Sequence, residues 1–319
     1  MGLGLAIRHV QGLFMLPMTM DRGWSREEFA LAIAVQNLSW GVTQPIVGMI
    51  IDRWNALPVL IAGALIYAGG LLLMSVVTTP MALILSAGMM IGLAQSCTAF
   101  GAVYAAISRL VPDSVRSVSL GLTGALGGLC QFIAVPVVQQ VQFAKGWNTT
   151  LVALSVVIAM TLPLCLLLRP RLASCEPLST ARKVMMRVAL RQALTHRGFR
   201  LLTLGFFACG FQLAFIGSHL PAYLVDRGLP ASIAATGLAI IALTNVAGTY
   251  LAGSLGAVYR PKYLLAAVYA ARALAILVFI SLPPSPISTY LFCAVVGVLW
   301  LGTLPLTNNV IAQIFGIQH

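Results

Sequence analysis

The chain has 319 residues, of which 60% are apolar and 8% charged, against about 25% charged in an ordinary soluble domain. So few charges cannot cover the surface of a water-soluble fold, which excludes soluble enzymes, nucleic-acid binders and disordered proteins and leaves a multi-span helical membrane protein. The net charge of +12 comes from 19 Lys and Arg against 7 Asp and Glu, and the basic residues lie mostly in short loops between apolar runs, the pattern that sets membrane topology.

A helix needs about 20 mostly apolar residues to cross the hydrocarbon core, and ten runs qualify. The first, 1–20, starts at Met1 with no basic segment ahead of it, so it does not read as a cleavable signal; it is barely long enough, and its true start is expected upstream. Its Arg8 and His9 lie ~17 Å from its outer end at 1.5 Å per residue, close to the midplane. A polar break, Asp21 to Glu28, leads into span 2 (28–51), which holds Gln36 and Asn37 and ends in Gly48-x-x-x-Asp52-Arg53. Span 3 covers 58–77 and, after Thr78-Thr79-Pro80, span 4 covers 81–106 with Gln95 and Thr98 on one face. Span 5 (118–142) carries Gly121, Gly124, Gly127, Gly128, Gln131 and Pro136; span 6 covers 150–168.

The segment 169–200 is the only long polar stretch. Beyond it, span 7 (201–225) places Gln212 and His219 two helical turns apart on one face, and span 8 covers 232–257. Span 9 (263–282) has Arg272 near its middle, where a charge costs about 2.5–3.5 kcal/mol on insertion scales. Span 10 (287–311) holds Thr307, Asn308 and Asn309. The runs are too long and too continuously apolar for a membrane β-barrel. The six cysteines are scattered, without a Cys-x-x-Cys pair, so no disulfide, metal or cofactor is expected.

Loop charge sets the expected orientation. Loops after the even-numbered spans hold 13 of the 19 basic residues and those after the odd-numbered spans hold 4, with Arg8 and Arg272 inside spans. This asymmetry predicts a cytoplasmic N-terminus. The two sides of the polar stretch also look duplicated. Asp21-Arg22-Gly23 recurs as Asp226-Arg227-Gly228, Gly48 as Gly253 and Gly92 as Gly297, all at an offset of 205 residues. Two parallel halves joined by a cytoplasmic loop are a common transporter plan. The expected organisation is a six-helix bundle at 1–168, a cytoplasmic linker at 169–200 and an incomplete four-helix bundle at 201–319. In that register residue 319 matches residue 114, so the chain reads as ten helices of a twelve-helix design, truncated at its C-terminus.

These features resemble the major facilitator superfamily. Gly48-Met49-Ile50-Ile51-Asp52-Arg53 is similar to the start of that family's loop signature, without its basic cluster; Ala56, Leu57 and Pro58 stand there instead. The second-half copy keeps Gly253, Arg260 and Lys262 but has Ala257 at the acidic position. The glycines of span 5 resemble the family's fifth helix. The stretch Gly23-Trp24-Ser25-Arg26 and the terminal Gln313-Ile314-Phe315-Gly316 look most like bacterial monocarboxylate or oxalate/formate-type porters. The resemblance implies an all-α polytopic bundle that works by alternating access, with spans 1, 4, 7 and 10 lining a central cavity. It also implies a gate at Gly48, Asp52 and Arg53, where a loop carboxylate binds a helix N-terminus and a nearby arginine.

Candidate substrate-binding residues are Arg8, His9, Gln95, Gln212, His219, Arg272 and Asn308. Arginine forks a carboxylate with charge-assisted bonds, and His9 or His219 would serve proton symport. No Asp or Glu lies deep in a span, which disfavours cation export. No phosphate-binding Gly-x-x-x-x-Gly-Lys-Ser/Thr and no hydrolase motif is present, so the chain is not read as an enzyme. The expectation is a secondary transporter of small organic anions, monocarboxylate-like, in a bacterial inner membrane. Its alternatives are transport of another solute or drug, or a non-transporting truncated membrane protein.

Overall fold

The computed structural model describes residues 1–53, 56–167, 195–300 and 302–315. Every regular element among them is helical: α1 Gly2–Val10, α2 Gly12–Arg22, α3 Arg26–Arg53, α4 Ala56–Val76, α5 Pro80–Leu83, a π-helical segment Ile84–Met90, α6 Ile91–Thr98, α7 Phe100–Leu110, α8 Asp113–Ala159, α9 Thr161–Leu167, α10 Arg197–Asp226, α11 Ala231–Val258, α12 Pro261–Ser281, α13 Pro286–Val298 and α14 Thr303–Phe315. Among the described residues, six stretches are long and apolar enough to cross a bilayer. One of them, Leu122–Cys165, has 44 residues, which at 1.5 Å per residue is about twice the hydrocarbon thickness. Outward faces carry Leu126, Ile133, Phe207 and Leu277, all exposed, as lipid requires and water would not permit over such an area. The chain is a multi-pass membrane protein.

Helix starts follow from the sequence. Ser25 and Glu28 form a reciprocal capping box at α3: Glu28 N donates to Ser25 Oγ (3.2 Å) and Ser25 N to Glu28 Oε2 (2.8 Å), satisfying two otherwise orphaned donors. Thr79 caps α5, where Pro80 takes the first helical position, and Ser285 with Ser288 caps α13, with Pro286 in that place.

Five spans are less regular than the apolar runs predict. Span 1 is interrupted at Gln11, where Gln11 N bonds Arg8 O and Phe14 N bonds Gln11 O in three-residue steps. Span 4 contains the π-helical turn and then breaks at Ala99, whose backbone is extended (φ −78°, ψ −172°). Spans 5 and 6 share one helical run, kinked at Gly146 (φ 80°), in the left-handed region that favours glycine. Span 10 is broken between Val298 and Thr303.

Pro17 lies inside α2 and cannot donate to the carbonyl of Leu13. Gln142 Nε2 donates to that carbonyl instead, at 3.1 Å. Thus α8 supplies across the bundle the bond that the proline removes.

The chain divides into two compact units, Met1–Leu178 and Ser179–His319, each taken by itself below. Most of the predicted linker lies outside the described residues. The 205-residue offset reappears in three dimensions. Gly23 (φ 68°) and Gly228 (φ 82°) both take left-handed backbone. Behind them Trp24 N bonds Thr19 O and Leu229 N bonds Leu224 O, each at 3.0 Å. The two helix ends close in the same six-to-one manner.

Packing repeats as well. A Cβ on Gly92 would lie 2.5 Å from Gln36 O and 2.8 Å from Ser39 Cβ, while one on Gly297 would meet Ile241 O at 2.8 Å and also Thr244 Oγ1. These partners, too, are 205 residues apart. In both units a glycine lets two backbones touch, the packing by which membrane helices associate without a hydrophobic drive between them.

Candidate functional site

In the first unit the sequence candidates Arg8 and Gln95 come together. Arg8 lies in the last turn of α1, just before the irregularity at Gln11. Its Nη2 donates to Asn37 Oδ1 at 2.7 Å and its Nη1 to Gln95 Oε1 at 3.4 Å. The guanidinium lies over the Trp40 ring, 4.5 Å from its centre, within cation–π range.

Asn37 and Trp40 are three apart on α3 and so share a face. Asn37 Nδ2 donates to Ile33 O (2.8 Å), which leaves its carbonyl oxygen turned to the arginine. Trp40 Nε1 donates to Gln44 Oε1 (2.8 Å), fixing the ring. Ser96 Oγ donates to Trp40 O (2.8 Å) and pairs with Thr43 Oγ1 (2.6 Å), tying α6 to α3 beside the site. From α4, buried Tyr67 donates to Gly4 O at 2.8 Å. Its ring fits there because Gly4 has no Cβ, which would stand 3.1 Å from the ring.

Electrostatically the cluster is one-sided. Among the described residues no Asp or Glu pairs with Arg8; its partners are two neutral amides and an indole face. Gln95 is buried and its Nε2 donor is without a partner. A small cavity adjoins these groups, lined by Gly4, Leu5, Trp40, Gln95, Thr98 and Ala99. The half-buried Arg8 guanidinium contacts Gln95, which lines this cavity and carries an unused amide donor; the two groups together suit an anion with two oxygens. His9, next to Arg8 in sequence, is buried at 7% exposure. Of the gate candidates, Gly48 lies exposed on α3 with open space at its Cβ position. The side chains of Asp52 and Arg53 lie outside the described residues, as does that of Asn308.

In the second unit Gln212 and His219 share α10. Gln212 is half-buried and its Oε1 has no partner; His219 stacks on Phe215, ring centres 4.8 Å apart. Arg272 is not with them on an open face. It is 0% exposed, with Nη1 on Cys209 Sγ (3.0 Å) and Nη2 on the carbonyls of Leu299 and of Trp300. Of the candidate substrate-binding residues, Arg272 thus faces backbone at the break in span 10.

Trp40, Tyr67 and Asn37 are not among the candidate residues that the sequence offers. The available signal was positional. Asn37 and Trp40 share a helix face, and Trp40 and Tyr67 lie deep in their spans rather than at the interfaces where Trp and Tyr usually anchor.

Comparison with known proteins agrees with this architecture. Mouse "Monocarboxylate transporter 11" is 27% identical over 254 residues, 79% of this chain and 54% of its own length. The Bacillus subtilis (strain 168) "Uncharacterized MFS-type transporter YcxA" is 24% identical over 314 residues, 94% of this chain and 74% of its own. A crystal structure of a bacterial homolog to the human lysosomal transporter Spinster superposes with a TM-score of 0.73 at 17% identity, covering 99% of this chain and 73% of that one. The chain spans about half the length of the monocarboxylate relatives it matches. The Major Facilitator Superfamily profile matches residues 5–319. With the doubled helical units, the repeated glycine contacts and this match over nearly its whole length, the chain belongs to the Major Facilitator Superfamily.

Proposed function

We propose that the protein is a secondary transporter of small organic anions, working by alternating access, and that Arg8 anchors the substrate carboxylate. One observation carries the reading: a guanidinium inside a membrane span, held by neutral groups only, beside a buried amide donor that lacks a partner. The bilayer penalises an unpaired internal charge, and an anion entering the cavity would relieve it. The 3.4 Å contact to Gln95 is long for a hydrogen bond and is the one a carboxylate would displace, after which Arg8 and Gln95 Nε2 would each hold one oxygen. The names of the monocarboxylate relatives point to the same substrate class.

In this reading His9 or His219 accepts a coupling proton, Gln212 and Asn308 contribute polar lining, and Gly48, Asp52 and Arg53 form the gate. The membrane is a bacterial inner membrane with the N-terminus in the cytoplasm.

The test is uptake of labelled pyruvate, acetate and oxalate into proteoliposomes by the parent chain and by Arg8→Ala, Arg8→Lys and Gln95→Leu. Arg8→Ala should lower uptake at least a hundredfold. Arg8→Lys, which keeps the charge without the fork, should retain a measurable fraction with a raised KM. Uptake unchanged in Arg8→Ala would refute the anchor.

A further inference from the structure

The repeat sets Tyr67 and Arg272 at equivalent positions, and likewise Gly4 with Cys209 and Gln95 with Trp300, each pair 205 residues apart. In the first unit Tyr67, on α4, donates to Gly4 O of α1 and neighbours Gln95 of α6. In the second, Arg272, on α12, reaches Cys209 of α10 and the carbonyls of Leu299 and Trp300. Both side chains are 0% exposed. One three-cornered tie, from the middle of a span to two neighbouring spans, is therefore built twice with different chemistry.

The local backbone explains the difference. In the first unit α6 runs unbroken past Gln95 to Thr98, and the carbonyl of Gln95 receives the Ala99 N–H at 2.8 Å. A single phenolic donor suffices there. In the second unit α13 stops at Val298 and α14 starts only at Thr303. The break falls one turn earlier in the repeat and leaves carbonyls at membrane depth without helical partners. Arginine brings a rigid fork of donors and a positive charge at the negative end of the α13 dipole. Next to the fork, Cys209 Sγ also lies 3.5 Å from Thr303 Oγ1, a weak contact beside the two carbonyl bonds.

We infer that Arg272 is a positioning residue that holds the interruption in span 10, rather than an anchor for substrate. Its two terminal nitrogens are occupied by the backbone and by Cys209, and the charge is spent on the helix end. The inference rests on buried geometry alone and stands whether or not the Arg8 site binds carboxylates.

Amide hydrogen exchange tests it, on the full chain in lipid nanodiscs, comparing residues 298–305 with residues 94–101 as the internal reference. Arg272→Met fills nearly the same volume without a donor. Exchange in 298–305 should rise at least tenfold, with the reference within twofold of the parent. Arg272→Lys, which keeps the charge and can reach a carbonyl, should return 298–305 to within threefold. The inference is overturned if Arg272→Met leaves 298–305 as in the parent, or loosens both segments alike. If Arg272→Met gives no monodisperse protein, Cys209→Ala and Arg272→Lys decide the matter. Cys209→Ala spares both carbonyl bonds and should leave 298–305 within twofold of the parent, and a tenfold rise in either variant overturns the inference.

Discussion

Replacing Gly92 by alanine tests whether helix contact through glycine holds the first unit together. The added Cβ would stand 2.5 Å from Gln36 O and 2.8 Å from Ser39 Cβ, where ordinary contact begins at 3.4 Å. The atoms it would meet are a backbone oxygen and the Cβ of a short side chain on a rigid helix, so neither can swing away. Helix α3 and the segment around Gly92 must separate by about 0.9 Å. A radial gap of that size forfeits about a quarter to a half of each dispersion contact along the seam, and overpacking of this kind typically costs about 1–3 kcal/mol. Because membrane helices associate through packing, little else makes up the loss. Gly297→Ala, its repeat-mate, meets Thr244 Oγ1 and Ile241 O and should lose a similar amount from the second unit. Gly41→Ala, where the Cβ meets nothing within 4 Å, is the control and should be neutral or slightly stabilising, since alanine is the better helix former. Thermal midpoints of the purified protein in one detergent, read by loss of the monodisperse chromatographic peak, give the ranking. Gly92→Ala as stable as Gly41→Ala would refute the argument from close approach.

Two further predictions concern backbone groups. Gln142→Leu leaves the Leu13 carbonyl unsatisfied and should lower stability by about 1–3 kcal/mol; adding Pro17→Ala restores the helical donor and should recover most of the loss, so a double variant no better than the single one would contradict this account. Gly23→Ala and Gly228→Ala force alanine into left-handed backbone and should each cost about 1–2 kcal/mol. Asparagine at the same positions should cost less, and the two sites should respond alike in thermal midpoint because their helix ends are built alike.

Much of the fold was legible because lipid imposes a single rule on long stretches of chain. A segment in the bilayer must satisfy its backbone internally and show apolar side chains outward, so the apolar runs located the spans to within a few residues. The Asp-Arg-Gly repeat located the duplication, and the polar breaks between runs hold Ser25, Thr79 and Ser285, which cap helix starts through hydrogen bonds that span only three residues. All of these are local properties, and a linear sequence carries them directly.

What the sequence alone determined is therefore the spans, their register and the presence of two cationic groups inside the membrane. Tertiary structure decided what those cations do. Arg8 meets groups 29 and 87 residues away, and Arg272 meets groups 63, 27 and 28 residues away. Both are single arginines on apolar helices, alike by composition. They differ because one helix rotation aims a guanidinium at amides and a cavity while the other aims it at the carbonyls of a broken helix. Rotation and breakage are collective outcomes of how whole helices pack, which no single stretch of chain encodes.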